Sequence, residues 1–346
     1  MKRALSHIYG MAIHLRNAAF DRGLFRVRNV PVPVISVGNI TAGGTGKTPV
    51  VEYLAGHFLR QGLRPAVVTR GYRRESRGSL LVSDGAGTLS SARQGGDEAV
   101  QIAAKFSGLI VIADEVRSRG CRRAVDEFSA NIIVLDDAYQ HRAVHRDLDI
   151  VVIDASEDFN AQLLLPAGRL REPLENLRRA NVILLSKCEA ETALEKLHHA
   201  IAAYTRVPVY ATRFVPRKLR RLGSDEVFPL DALRETPLGC FCGIGNPGGF
   251  RRTLDGLQTS VALCRDFPDH HWYSREDLDV LNEQGNAKGV GAWITTEKDA
   301  VRLKDGEEWR RLGRVYYPEM EVEFSGDSRG FSTMLDACSA RGSEMR

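Results

Sequence analysis

The run Val34-Ile35-Ser36-Val37-Gly38-Asn39-Ile40-Thr41-Ala42-Gly43-Gly44-Thr45-Gly46-Lys47-Thr48 decides the fold of this chain. It opens as an apolar strand, breaks into a glycine-rich loop and ends in Lys-Thr at the head of a helical pattern. That order builds a phosphate cradle. The glycines let backbone N–H groups turn inward, Lys47 reaches the terminal phosphates, and the Thr48 hydroxyl is a ligand for Mg²⁺. The residues of the cradle are Thr41, Gly43, Gly44, Thr45, Gly46, Lys47 and Thr48, and what they imply is a nucleotide. Thr41 stands where the pattern usually opens on glycine, with Gly43-Gly44 supplying the freedom instead. Pro49 is acceptable in the first turn, where N–H groups have no intrahelical partner.

Outward from the cradle, short β-branched runs alternate with longer amphipathic stretches. Strands are predicted at Pro33–Val37, Ala66–Thr69, Leu109–Ala113, Ile132–Leu135, Ile150–Asp154 and Val182–Ser186. They are apolar on both faces, as parallel strands covered by helices are. Between the first two, Val50, Val51, Leu54, Phe58 and Leu59 form one helical stripe over Val50–Arg60, stopped by Gly62. The alternation predicts an α/β fold with a mostly parallel, P-loop NTPase-like sheet. Val207–Tyr210 and Ala211–Phe214 read as extended hinge strands, followed by the basic cluster Arg217-Lys218-Leu219-Arg220-Arg221. Gly239–Gly245, Trp293–Thr296 and Val315–Tyr317 then read as strands of a smaller α/β unit. The expected division is residues 1–30 as an N-terminal segment, 31–205 as the P-loop unit and 206–346 as the second unit.

The bulk composition agrees with this plan. The chain has 346 residues, 43% of them hydrophobic, and a formal charge of +4. Such length favours two units over one. The charge is too small, and the basic residues too little interleaved with aromatics, to call for a nucleic acid partner. The six cysteines are mostly isolated, and Cys240-Phe241-Cys242 is too tight for a zinc knuckle, so reduced core thiols are expected. No window is long and apolar enough to span a membrane. Lys2 to Phe25, however, carries Leu5, Ile8, Tyr9, Ala12, Ile13, Leu15, Ala19, Phe20 and Leu24 at helical spacing among Lys2, Arg3, Arg16 and Arg22. A basic amphipathic helix of this kind can lie in a membrane interface or pack on its own domain.

The carboxylates come next. Asn131-Ile132-Ile133-Val134-Leu135-Asp136-Asp137 is a buried strand ending in two acids at the end of the sheet that holds the cradle, the place for a second Mg²⁺ anchor. Ala138-Tyr139-Gln140-His141 continues it with polar groups. Gly95-Gly96-Asp97-Glu98 carries adjacent acids at a helix start, where a cap is the ordinary role. Asp269-His270-His271 lies in the second unit, where a carboxylate oriented by histidine suits a general base. Arginines follow two strands, in Arg70-Gly71-Tyr72-Arg73-Arg74 and in Asp114-Glu115-Val116-Arg117-Ser118-Arg119, and suit an anionic ligand.

In this order the motifs resemble the tetraacyldisaccharide 4′-kinase family, over nearly the whole chain. The likeness rests on Val32–Thr41 leading into the cradle, Thr69-Arg70-Gly71-Tyr72, Gly96-Asp97-Glu98 and Leu135–His141. It continues through Leu165-Pro166-Ala167-Gly168-Arg169-Leu170-Arg171-Glu172, Gly243-Ile244-Gly245-Asn246-Pro247, Pro268-Asp269-His270 and Thr295–Val301. The resemblance implies transfer of the ATP γ-phosphate to the 4′-hydroxyl of tetraacyldisaccharide 1-phosphate in lipid A biosynthesis, at the cytoplasmic face of the inner membrane. It implies Asp97 as proton acceptor assisted by His270 with Asp269, and Thr48, Asp136, Asp137, Glu98 and Gln140 around Mg²⁺. Tyr72, Arg117 and Arg171 become lipid or phosphate contacts. The lipid and the membrane surface are then the partners, nucleic acid is not, and a monomer is expected. The family commonly has Pro after Gly-Asp-Glu, where this chain has Ala99. Its members often begin with a transmembrane helix, where this chain has a basic amphipathic segment that looks peripheral. The competing class is a nucleotide-driven switch or metallochaperone, for which only Ser186-Lys187-Cys188-Glu189 faintly resembles a guanine-reading motif.

Overall fold

The computed structural model describes residues 1–344 apart from 158, 160–162 and 189–190 and the side chains of 191–193. The chain order begins α1 (Lys2–Asp21), β1 (Val34–Gly38), α2 (Lys47–Arg60), β2 (Pro65–Thr69), β3 (Leu80–Asp84), α3 (Ala92–Gly95), α4 (Asp97–Lys105), β4 (Ile110–Ala113), α5 (Arg117–Phe128), β5 (Ile132–Asp136), β6 (Leu148–Asp154), β7 (Val182–Ser186) and α6 (Glu191–Ala202). It continues β8 (Val209–Arg221), β9 (Val227–Phe228), β10 (Leu238–Cys242), α7 (Pro247–Gly256), β11 (Val261–Asp266), α8 (Arg275–Ala287), β12 (Ala292–Ile294), α9 (Glu297–Leu303), β13 (Val315–Ser325) and α10 (Arg329–Ser343).

Among the described residues the strands form one sheet, ordered β11-β10-β12-β13-β8-β7-β6-β1-β5-β2-β4-β3, with β9 on β8. The stretch from β7 to β4 is parallel throughout. Its strands are buried at every residue, which is why they read as unbroken apolar runs. β1 lies between β5 and β6, at the point where the strand order reverses, and so opens a crevice above its C-terminal end. The glycine-rich loop fills that crevice, and Asp136 ends the neighbouring β5.

β3 and β11 are strands that the sequence pattern does not announce. Both are half-exposed at sheet edges, so neither carries a continuous apolar run. The hinge segment is one strand, β8, and the basic cluster Arg217–Arg221 belongs to it. Across it run the acids of antiparallel β13, with Lys218 3.1 Å and Arg220 2.5 Å from Glu319, and Arg217 2.8 Å from Glu323. The run Gly239–Gly245 leaves the sheet at Cys242, because Gly243 turns beneath Asp299, donating its N–H to that carboxylate at 3.0 Å. Cys240 and Cys264 face each other across β10 and β11 and are joined as a disulfide, where thiols were expected; Cys121, Cys188, Cys242 and Cys338 are free.

Two terminal helices matter for the site. α10 returns from the second half to the first: its Phe331, Leu335 and Cys338 share a core with Ile35, Val37 and Leu54. The linear division at residue 205 does not describe that placement. α1 faces the protein with Ile13 and with Ser6, Tyr9 and Asn17, the last three bonded to Leu164 O, Arg171 O and Glu172 at 2.8–2.9 Å. Its opposite face carries Leu5, Ile8, Met11 and Leu15, exposed by 47, 58, 60 and 70%. No helix among the described residues is long and apolar enough to cross a membrane.

Candidate active site

The cradle is held open by its own backbone. Gly43 and Gly46 adopt φ of +123° and +86°, which side chains rarely tolerate, and a Cβ on Gly46 would meet the Phe214 ring at 2.2 Å. Gly46 caps α2, so Lys47 and Thr48 occupy its first turn. Neighbouring segments pin the loop. Asn39 donates to Thr45 Oγ1 at 2.9 Å, and Ser186 Oγ donates to Thr45 O at 2.7 Å. Ala42 and Arg169 exchange bonds at 2.7 and 2.8 Å, and Thr41 bridges to Leu170. Lys187 Nζ donates to Gly44 O at 2.8 Å, so the run at the end of β7 buttresses the cradle; Glu189 lies outside the described residues.

At the end of β5, Asp137 takes a left-handed conformation with φ of +47°. Its carboxylate lies 3.4 Å from Lys47 Nζ and accepts Arg171 Nη1 at 2.8 and 3.0 Å. Burial alone would raise this carboxyl, but Lys47 and Arg171 hold it below the usual range. Asp136 is buried beside it and accepts the Thr69 hydroxyl at 2.9 Å. Burial, then the nearby carboxylates of Glu98 and Asp137, push it up to about 6. Gln140 donates to Asn39 O at 2.9 Å and so braces the strand–loop junction.

Asp97 is the first residue of α4, and Gly96 with φ of +91° is its cap. Asp97 is therefore not the N-cap residue. Oδ1 accepts Glu98 N–H at 2.9 Å, and Oδ2 lies 2.8 Å from His270 Nδ1. Burial would raise Asp97, yet the bond from His270 and the charges of Lys298 and Arg302 hold it below the usual range. Asp269 is less engaged: its carboxylate is half-exposed and 3.9 Å from His270 Nε2. Tyr72 is exposed, its ring centroid 5.6 Å from that of His270. Arg117 differs from the expected ligand contact. It is 3% exposed and donates to the carbonyls of Asp114 and Asp136 at 2.8 and 3.2 Å, bracing the end of β5 from within.

Lys298 and Arg302 on α9 were not singled out by sequence. Lys298 Nζ lies 3.1 Å from Glu98 Oε1 and 3.2 Å from His270 Nε2, and Arg302 Nε 3.7 Å from Asp97 Oδ2. Lys298 lies inside the run Thr295–Val301, but nothing local marks which helix face meets a loop far along the chain.

The donor set suits a hard cation: Thr48 hydroxyl with Asp136, Asp137 and Glu98 oxygens. Asp137 is paired with Lys47 and Arg171 and Glu98 with Lys298, but Asp136, pushed upward by burial and then by Glu98 and Asp137, carries a charge that Mg²⁺ would balance. Among the described residues no three acids, histidines or cysteines form a ready cage.

A family model described as tetraacyldisaccharide-1-P 4′-kinase matches residues 2–339. A tetraacyldisaccharide 4′-kinase of Chlorobium phaeovibrioides is 40% identical over 313 residues, covering 90% of this chain and 88% of that one. One from Anaeromyxobacter dehalogenans is 39% identical over 337 residues, covering 95% and 87%. A crystal structure of an "apo" form of LpxK from Aquifex aeolicus in complex with ATP superposes with a TM-score of 0.80 at 33% identity, covering 97% of each chain.

Proposed function

The chain belongs to the tetraacyldisaccharide-1-P 4′-kinase family, and from that premise we propose how its residues carry out the transfer. It is an ATP-dependent tetraacyldisaccharide 4′-kinase of lipid A biosynthesis. ATP sits with its phosphates on the backbone of Gly43–Thr48 and against Lys47, which exchanges its pairing with Asp137 for the γ-phosphate. Thr48, Asp136 and the neighbouring Asp137 and Glu98 would hold Mg²⁺, which would supply positive charge to the phosphate oxygens. The lipid's 4′-hydroxyl gives its proton to Asp97 as its oxygen bonds the γ-phosphorus, while the bond from that phosphorus to the β-phosphate oxygen breaks to leave ADP. His270 orients Asp97. Arg171 and Tyr72 flank the acceptor; Arg117 acts on Asp136 and not on the lipid.

The observation that carries this reading is Asp97: a buried carboxylate held ionised, bonded to a histidine, one residue from the carboxylate that crowds Asp136. A base that accepts a hydroxyl proton needs that state before substrate arrives. The exposed apolar face of α1 supports contact with the bilayer, where the lipid resides, and we place the enzyme on the cytoplasmic face of the inner membrane, as a monomer. Burial and the charges of Arg117, Arg146, Arg16 and Arg70 push His141 down to about 4. The test is to incubate the purified enzyme with γ-labelled ATP, Mg²⁺ and the lipid in mixed micelles. The label is expected on the 4′-position of the disaccharide; release as free phosphate at the same rate without lipid would instead favour a hydrolytic switch.

A further inference from the structure

Helix α9 and the loop that carries His270 behave as one body. Arg302 donates to Gly243 O and His271 O at 3.0 Å each and pairs with Asp299 at 2.9 Å. Asp299 in turn accepts Gly243 N–H at 3.0 Å and the Tyr273 hydroxyl at 2.6 Å. The turn at Gly243, the loop at 268–273 and α9 are therefore cross-bonded through buried groups. From this body Lys298 extends to His270 Nε2 at 3.2 Å and across to Glu98 Oε1, on the other half of the sheet, at 3.1 Å.

We propose that Lys298 is a positioning residue that fixes His270 as the Nδ1–H tautomer, so that the imidazole donates to Asp97 and leaves that carboxylate free to accept a proton. A lysine ammonium has three donors and no acceptor, so the ring nitrogen facing it must be the unprotonated one. The ring proton is then on Nδ1, 2.8 Å from Asp97 Oδ2. The opposite tautomer would set a bare Nδ1 against a carboxylate oxygen, two acceptors face to face, unless Asp97 itself carried the proton. In that state Asp97 has nothing left with which to accept the hydroxyl proton. The other groups facing the imidazole do not compete. Asp269 is 3.9 Å from Nε2, Tyr72 presents its ring, and Arg302 reaches Asp97 at 3.7 Å without a bond to the histidine. Glu98 holds Lys298 from its far side, which ties the tautomer to the juxtaposition of the two halves.

The inference rests on Asp97 being the proton acceptor, and the experiment separates the two. In the full-length enzyme with ¹⁵N-labelled histidine, long-range proton–nitrogen spectra at fixed pH report which ring nitrogen of His270 carries the proton, the signal being assigned by its loss in His270→Asn. The expected wild-type spectrum has a protonated Nδ1 and a bare Nε2. Lys298→Met should give a mixture of tautomers and Lys298→Arg the wild-type form. In parallel, kcat should fall roughly 10- to 100-fold in Lys298→Met, less than for loss of an acid–base group itself. It should recover in part in Lys298→Arg. A wild-type His270 protonated on Nε2 overturns the proposal, and that spectrum decides even if the methionine variant does not fold. So does a methionine variant with wild-type tautomer and kcat. An intact tautomer effect in an enzyme that transfers no phosphate to the lipid would instead overturn the kinase assignment and leave the role of Lys298 standing.

Discussion

Nδ1 of His270 lies 2.8 Å from Oδ2 of Asp97, although 173 positions separate the two residues in the chain. One side chain heads α4 in the half that holds the nucleotide cradle; the other belongs to a loop of the opposite half. The pair proposed to accept the proton is thus complete only when the two halves meet, and the long β8–β13 ribbon fixes how they meet.

The first prediction concerns this pair. Asp97→Asn should keep the fold and nucleotide binding while kcat falls by about 10²–10⁴. His270→Gln should cost less, and the double variant little more than Asp97→Asn alone, because the two act as a unit. Steady-state kinetics on the four proteins checks this; additive losses would mean that the residues act separately.

Arg117 supplies the second. A buried guanidinium bonded to two backbone carbonyls braces the strand end that presents Asp136. Arg117→Met should lower unfolding stability by about 1–3 kcal/mol, leaving carbonyls without donors. It should reduce kcat with little change in KM for the lipid. A raised lipid KM with unchanged stability would return Arg117 to the role of substrate contact.

How far the sequence reached explains why Arg117 needed the structure. The cradle and Asp136-Asp137 are legible because each is a local pattern, a strand running into residues whose chemistry follows within a few positions. Asp97 by itself reads as a helix cap, and its partnership with His270 came only through resemblance to a family. Arg117 follows a strand and so reads as facing ligand, yet the chain turns back into α5 and buries it at 3% exposure. Lys298 and Arg302 were given no role because their partners lie far along the chain, Glu98 for the first and Gly243 for the second, and no periodicity encodes such contacts. The charges of β8 obscured a strand whose partner acids lie about a hundred residues later, on β13.

The third prediction is one of pH. Lys105 joins Glu52 at 2.6 Å and Glu297 at 3.3 Å where α2, α4 and α9 meet. Burial, then the Glu52 carboxylate, push Glu297 up to about 8. A carboxyl raised by folding takes up a proton as the chain folds. Its stabilising contribution is therefore full below the unfolded value and lost as pH rises towards 8. Glu297→Gln should gain on the wild type by ~1–3 kcal/mol across that window and level off above it. Denaturant midpoints measured from pH 5 to 9 check the slope; a constant difference would contradict the assignment.

The fourth tests α1. Ile8→Glu on the exposed apolar face should leave the melting temperature within a degree or two, since the side chain is mostly exposed. Removing it from the interface forfeits roughly 1.5–3 kcal/mol of apolar burial, so vesicle binding should weaken by about tenfold or more. Co-sedimentation with anionic vesicles gives the readout. Unchanged binding would mean that this face does not enter the bilayer.

The decisive measurement follows γ-labelled phosphate from ATP to the 4′-hydroxyl of tetraacyldisaccharide 1-phosphate, in wild type and in Asp97→Asn, with ATP affinity measured on both. Wild type is expected to form the 1,4′-bisphosphate rapidly. The variant is expected to lose nearly all of that product while still binding ATP. Transfer by Asp97→Asn within a few fold of wild type would mean that Asp97 is not the proton acceptor.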